Sequence, residues 1–67
     1  MKIFCERLKE LRKEKNLSTR ALGEALGVDN SSITRWENEN TIPNIEVLRD
    51  IAVFFKVSTD YLVGLED

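Results

Sequence analysis

Histidine and cysteine, the residues behind much nucleophilic and zinc chemistry, are scarce in this chain of 67 residues. It contains no histidine and a single cysteine, Cys5. The sequence therefore supplies neither an intramolecular disulfide nor the Cys and His ligands of a structural zinc site, and no imidazole is present to activate a nucleophile. We expect a protein that is not an enzyme, that holds no metal and no cofactor, and that depends on side-chain packing for its fold. Cys5 is either an inert, partly buried thiol or, if exposed beside Lys9 or Arg12, a redox sensor.

Long apolar runs and chain-breaking residues are scarce as well. The longest apolar run, residues 51–55, is far too short to span a bilayer, and the N-terminus has no signal-peptide core. One proline and three glycines interrupt the chain, and no alternation of polar and apolar residues predicts a strand. We expect one all-α domain over residues 1–67, located in the cytoplasm and not on a membrane.

Positive charge is limited overall and unevenly distributed. The formal net charge of −2 argues by itself against nucleic acid, because DNA affinity comes largely from basic residues that neutralise phosphates. Residues 1–36 nevertheless hold eight Lys and Arg against five acids, whereas residues 37–67 hold two against seven. This asymmetry is typical of a protein with a one-sided electrostatic surface.

The apolar residues that are present have helical spacing along the whole chain, which predicts five helices. Their inward positions are Phe4, Leu8 and Leu11; Leu22, Ala25 and Leu26; Ile33 and Trp36; Leu48, Ile51, Ala52 and Phe55; and Tyr61 with Leu62. The expected N-caps of the last four helices are Ser18, Asp29, Asn44 and Ser58. Residues 37–43 include the only proline and are expected to form a loop.

The second and third predicted helices are short and separated by a turn of about three residues that contains Gly27. Gly23 lies within the second helix, where glycine costs about 1 kcal/mol relative to alanine. The missing side chain would let the third helix cross closely. Residues 18–38 are therefore interpreted as a helix-turn-helix.

The outer face of the third predicted helix carries side chains that suit base edges in a major groove: Asn30, Ser31, Thr34 and Arg35. Asparagine pairs bidentately with adenine and arginine with guanine, each pair giving about 1–3 kcal/mol of discrimination. An ordinary solvated helix face has a similar composition. These residues alone leave both interpretations open.

Four segments of the chain are similar to the Cro and phage-repressor type of helix-turn-helix protein, also called the XRE family. They are LKELRKEKNLS at 8–18, ALGEALGV at 21–28, SSITRWENE at 31–39 and FKVSTDYLVG at 55–64. The resemblance implies a five-helix, lambda-repressor-like fold. It also implies sequence-specific binding of double-stranded DNA by a recognition helix at about 30–38, in a transcriptional regulator that we expect to be a repressor.

The resemblance further implies roles for individual residues. Base contacts fall on Asn30, Ser31 and Arg35, with Thr34 close by, and phosphate contacts fall on Thr19, Ser32 and Asn38. Arg12 and Glu37 are implied to form a structural ion pair that orients the recognition helix more than it stabilises the fold. Two departures predict modest affinity per subunit: Thr19 replaces the usual glutamine, and Glu39 adds an acid where phosphates would lie.

Modest affinity favours a homodimer, because two linked half-sites about 34 Å apart strengthen weak modules. Four apolar residues of the C-terminal region exceed what a small core needs and predict the dimer surface: Val53, Phe54, Val63 and Leu65. Alternatively, Phe54 fills the core and the others are scattered surface residues.

Two alternatives to a stand-alone DNA-binding regulator remain at this stage. The acidic second half of the chain would suit a protein-interaction module, antitoxin-like, built on a helix-turn-helix scaffold with weak or no DNA binding. The chain would also suit the N-terminal part of a longer regulator. The absence of any acid among the four predicted base-contacting residues favours DNA.

Overall fold

Five α-helices joined by short connections make up the computed structural model, which describes residues 1–38 and 41–67. They are α1, Lys2–Glu14; α2, Thr19–Leu26; α3, Asn30–Glu37; α4, Ile45–Phe55; and α5, Thr59–Val63. These residues contain no strand, so the predicted all-α class with five helices is confirmed. None of the five helices combines the length and apolar character that crossing a bilayer requires.

Side-chain caps begin the last four helices where the sequence predicted them. Ser18 accepts a hydrogen bond from the Ala21 amide, Asp29 from Ser31, Asn44 from Val47 and Ser58 from Tyr61. Each cap satisfies an amide that has no partner inside its own helix. The start of each of these helices is thus determined by a hydrogen bond between residues two or three positions apart.

The core receives side chains from every helix. Its buried members are Phe4, Leu8, Leu22, Ile33, Trp36, Ile51, Ala52, Phe55 and Leu62. All nine were predicted to face inward, whereas Leu11, Leu26, Leu48 and Tyr61, also predicted inward, are only partly buried against this cluster. Removal of this apolar surface from water is the main stabilising contribution to the fold.

Arg7 connects the two ends of the chain. Its guanidinium lies 4.2 Å from the centre of the Tyr61 ring, and it donates hydrogen bonds to the carbonyl oxygens of Tyr61 and Glu66. Cation–π and charge-assisted contacts of this kind fasten α5 and the residues after it against α1.

Three sequence predictions need correction or have no counterpart. Ala25, predicted to face inward, is exposed, because the buried side of α2 is centred on Leu22, Gly23 and Leu26. Glu37, assigned to the loop by composition but to the recognition helix by the resemblance, is the last residue of α3 and is buried. The acidic position Glu39 lies outside the described residues.

Candidate nucleic-acid interface

The turn between α2 and α3 is built around two glycines. Gly27 has φ of +73° and ends α2 in the left-handed conformation, which costs a residue with a side chain about 1–2 kcal/mol. A Cβ atom added to Gly23 would lie 2.8 Å from the Val28 carbonyl oxygen and 3.4 Å from the Asn30 nitrogen. Gly23 thus lets the turn and the start of α3 approach α2 closely, as predicted from its position in mid-helix.

One side of α3 is exposed and polar, and the other is buried. Asn30, Ser31, Thr34 and Arg35 are all exposed, and they span about 140° of the helix surface when successive residues turn by about 100°. The buried side consists of Ile33, Trp36 and Glu37. The structure therefore brings the four predicted base-contacting residues together on one face, supported from behind by the core.

Two hydroxyl groups on this face donate their hydrogens within the protein. Ser31 Oγ donates to Asp29 Oδ2, beside the capping bond from the Ser31 amide, and Thr34 Oγ1 donates to the Asn30 carbonyl at 3.3 Å. Each oxygen keeps lone pairs that face solvent. Such hydroxyls suit hydrogen-bond donors on a base edge, such as adenine N6 or cytosine N4.

The N-cap of α3 is charged. The Ser31 hydroxyl, then the Ser31 amide, and to a smaller extent the charge of Arg35 lower the pKa of Asp29 below its usual value. The carboxylate also lies at the positive end of the α3 dipole, which stabilises its ionised form. Asp29 is thus a capping residue of α3.

The predicted phosphate-contacting residues lie at the margins of the α3 face and on α2. Thr19 is the first residue of α2 and is half-buried, Ser32 is half-buried, and Asn38 is exposed as the C-cap of α3. Helix N-termini attract phosphates because their first amides lack intrahelical partners. Arg20 is exposed beside Thr19, and the sequence prediction assigned it no phosphate contact. Its positive charge next to the N-terminus of α2 is the feature that could have indicated one.

Arg12 and Glu37 form a nearly buried ion pair with two hydrogen bonds. Arg12 Nε lies 2.6 Å from Glu37 Oε2 and Nη2 lies 3.0 Å from Oε1, with 13% and 6% of the two side chains exposed. Arg12 Nη1 also donates to the Leu17 carbonyl at 2.7 Å. The hydrogen bonds from Arg12 to Glu37 raise the Arg12 pKa above its usual value, although burial opposes them. One guanidinium thus ties α1 both to the segment before α2 and to the end of α3.

A third contact to Glu37 was missed by the sequence prediction. Cys5 is 5% exposed, and its thiol donates to the Glu37 backbone carbonyl at 3.0 Å. The two residues are 32 positions apart, and no motif relates them. Burial also contradicts the exposed environment that a redox sensor requires.

The four predicted dimer residues differ in exposure. Val53 and Leu65 are 70% and 78% exposed, whereas Val63 is half-buried. Phe54 is partly buried against the core, and its ring lies edge-on to that of Phe55 at a centroid distance of 5.0 Å. Val53 and Leu65 are therefore the members of the set with most apolar surface left to bury. Ile45, 81% exposed, was not included in the set.

The arrangement of acids and the cysteine offers no metal centre within residues 1–38 and 41–67, where no three potential ligands are grouped closely enough to hold an ion. What the described surface does present is a polar helix face on a rigid scaffold.

A helix-turn-helix family model matches residues 8–62, from α1 to α5. The HTH-type transcriptional activator BcrR of Enterococcus faecalis is 41% identical over 64 residues, covering 96% of this chain and 31% of that protein. The repressor protein C2 of Salmonella phage P22 is 38% identical over 61 residues, 91% of this chain and 28% of the repressor. The uncharacterized HTH-type transcriptional regulator YobD of Bacillus subtilis is 37% identical over 65 residues, 97% of this chain and 58% of its own length.

The chain thus spans less than two thirds of the length of each of these relatives. The match nevertheless includes both helices of the turn, the polar face of α3 and the arginine that secures its end. By sequence and by structure, this chain belongs to the helix-turn-helix family, of the Cro and phage-repressor type.

Proposed function

We propose that the chain binds double-stranded DNA sequence-specifically by placing α3 in the major groove, and that it acts in this way as a transcriptional regulator in the cytoplasm. The exposed polar face of α3, opposite a buried face that fixes its orientation, is the observation that carries the proposal. Family membership supports it. The proposal includes no catalytic activity, metal or cofactor.

Repression is the proposed effect on transcription. The relatives include both an activator and a repressor by name. Covering an operator requires only a DNA-binding surface, whereas activation requires an additional contact to the transcription machinery. The exposed polar face of α3 supports a role of the first kind.

Direct readout is proposed for Asn30, Ser31, Thr34 and Arg35, because all four are exposed on one face. Arg35 is the strongest candidate for a specific contact, since arginine donates two parallel hydrogen bonds to guanine O6 and N7. The phosphate contacts are proposed for Thr19, Ser32 and Asn38, which border that face or the α2 terminus.

Homodimerisation through the C-terminal region is part of the proposal. Val53 and Leu65 would supply most of the apolar contact area, because Phe54 and Val63 are already partly covered. Two copies would then read two half-sites about one turn of DNA apart.

Selection of bound duplexes from a random pool tests the proposal, with wild type compared with Arg35→Ala at low and near-physiological salt. We expect a paired half-site motif for wild type and relaxed preference at one position per half-site for the variant, with a loss of about 1–3 kcal/mol against the preferred base. Arg49→Ala is the matched control, since it removes the same charge from an exposed site on α4.

Folding of each protein is verified through Trp36, which is 6% exposed and whose emission reports on the core. If folded wild type selects no motif at either salt concentration, the DNA-binding proposal is wrong. Capture of protein partners by the acidic half of the chain would then become the next experiment.

A further inference from the structure

The thiol of Cys5 contacts the carboxyl-terminal end of the recognition helix from behind. Cys5 lies on α1, is 5% exposed, and donates through Sγ to the Glu37 carbonyl oxygen at 3.0 Å. This bond is formed across the core between distant parts of the sequence. It therefore depends on, and constrains, the placement of α3 on α1.

The Glu37 carbonyl is a group that needs a donor. The last four carbonyls of a helix have no partner within it, and the Asn38 amide at the C-cap is directed to the carbonyls of Thr34 and Arg35. Glu37 is itself only 7% exposed, and a buried acceptor left without a donor is destabilising. Among the residues that the structure describes, Cys5 supplies a hydrogen bond to this oxygen.

Helix α1 thus holds Glu37 at two chemically different points. Arg12 holds its carboxylate and Cys5 holds its backbone. A contact to a side chain alone leaves the helix free to shift, because the side-chain torsions can adjust, whereas a contact to the main chain acts on the helix directly. The neighbouring Arg35 and Asn38 lie within two residues of this attachment.

We propose that Cys5 is a positioning residue for DNA recognition, whose thiol fixes the last turn of α3 and hence the direction from which Arg35 and Asn38 meet DNA. This inference rests on the proposed DNA-binding function. It assigns to Cys5 neither a redox reaction nor a ligand.

Cys5→Ser and Cys5→Ala separate hydrogen bonding from packing. Serine keeps a donor at this position, and alanine removes it. We expect Cys5→Ala to bind the selected duplex about three- to tenfold more weakly than wild type, the equivalent of one net hydrogen bond, and Cys5→Ser to retain most of the affinity. If packing alone matters, serine will be no better than alanine, because it buries a polar group in the same space, and the proposal is overturned.

Amide hydrogen exchange gives a second readout that does not require DNA. We expect Cys5→Ala to accelerate exchange at Glu37 and Asn38 relative to wild type while Phe55, in the last turn of α4, keeps its rate. Unchanged exchange at α3 in Cys5→Ala would contradict the proposal. If the exchange result is as expected but wild type binds no duplex, the structural attachment stands and the DNA-binding function fails.

Should Cys5→Ala not fold, Cys5→Val replaces it as the variant without a donor. From highest to lowest, the expected order of duplex affinity and of protection of the α3 amides from exchange remains wild type, then Cys5→Ser, then Cys5→Val. Equal or better values for Cys5→Val than for Cys5→Ser overturn the proposal.

Discussion

At the scale of single residues, Arg12 joins two segments, α1 and the residues before α2, to the end of α3. Its side chain is 13% exposed and bonds both to Glu37 and to the Leu17 carbonyl. Guanidinium suits this place because its donors lie in a fixed plane and can serve a carboxylate and a carbonyl at the same time. A lysine ammonium would satisfy fewer of these acceptors.

We expect Arg12→Ala to lower the free energy of unfolding by about 3 kcal/mol, because it leaves the Glu37 carboxylate buried without its counterion. Urea titration followed through Trp36 emission measures the effect. Arg49→Ala should change stability little, since its pair with Asp50 spans 4.0 Å on the surface. The double variant Arg12→Met with Glu37→Leu should be more stable than Arg12→Ala. The opposite ranking would show that the unpaired Glu37 carboxylate is not the cause of the loss in Arg12→Ala.

Among the elements, α3 depends on contacts at both ends and along one side. Asp29 caps its first turn, Arg12 and Cys5 hold its last residue, and Ile33 and Trp36 fix its inner side. A helix of eight residues is too short to be stable alone in water. Its polar face is therefore presented in one orientation only because tertiary contacts hold it.

The cap of α3 should make stability depend on pH. The pKa of Asp29 is lower in the folded state than its usual value. The contribution of its charge to the free energy of unfolding is therefore complete above the usual pKa and is lost as the pH falls through the lowered pKa. We expect Asp29→Ala to unfold at a lower temperature than wild type at neutral pH, with the difference shrinking in strong acid. Thermal unfolding at a series of pH values measures this.

Asp29→Asn is the matched control for the cap, because asparagine accepts the same hydrogen bonds but does not ionise in this range. The difference in unfolding temperature between Asp29→Asn and Asp29→Ala should vary less with pH than the difference between wild type and Asp29→Ala. A difference between wild type and Asp29→Ala that stays constant into strong acid would show that the charge of Asp29 adds nothing to the cap.

At the scale of the whole molecule, the apolar surface outside the core is concentrated in a few positions after α3. Val53 and Leu65 are among the most exposed large apolar side chains, and the half of the chain that carries them is acidic. An acidic surface is unsuited to phosphates, so this half is expected to point away from DNA and to be available for a second copy.

We expect Val53→Glu combined with Leu65→Glu to abolish the proposed dimer in sedimentation experiments, because association would have to desolvate the added charges. Affinity for a duplex with two half-sites should fall about 100-fold as avidity is lost, while affinity for a single half-site stays unchanged. Ile45→Glu is the control, since Ile45 is also apolar and exposed but lies about two turns from Val53 on α4. Dissociation by Ile45→Glu alone would place the dimer surface elsewhere.

Sequence by itself determined the features that arise within a few residues of the chain. The helical period, the caps at Ser18, Asp29, Asn44 and Ser58, and the turn at Gly27 were all predicted, because each depends on contacts of five residues' range or less. The grouping of the polar residues on one face of α3 follows from the same period.

Only the tertiary structure decided which of these surfaces meet. The exposure of Ala25, the burial of Glu37 and the bond from Cys5 to its carbonyl all follow from how α1, α2 and α3 cross. Helix crossing is set by the packing of many side chains at once, so no local pattern encodes it. The resemblance implied that Arg12 pairs with Glu37 at the end of α3. The contact of Cys5 with Glu37 became visible only in the packed core.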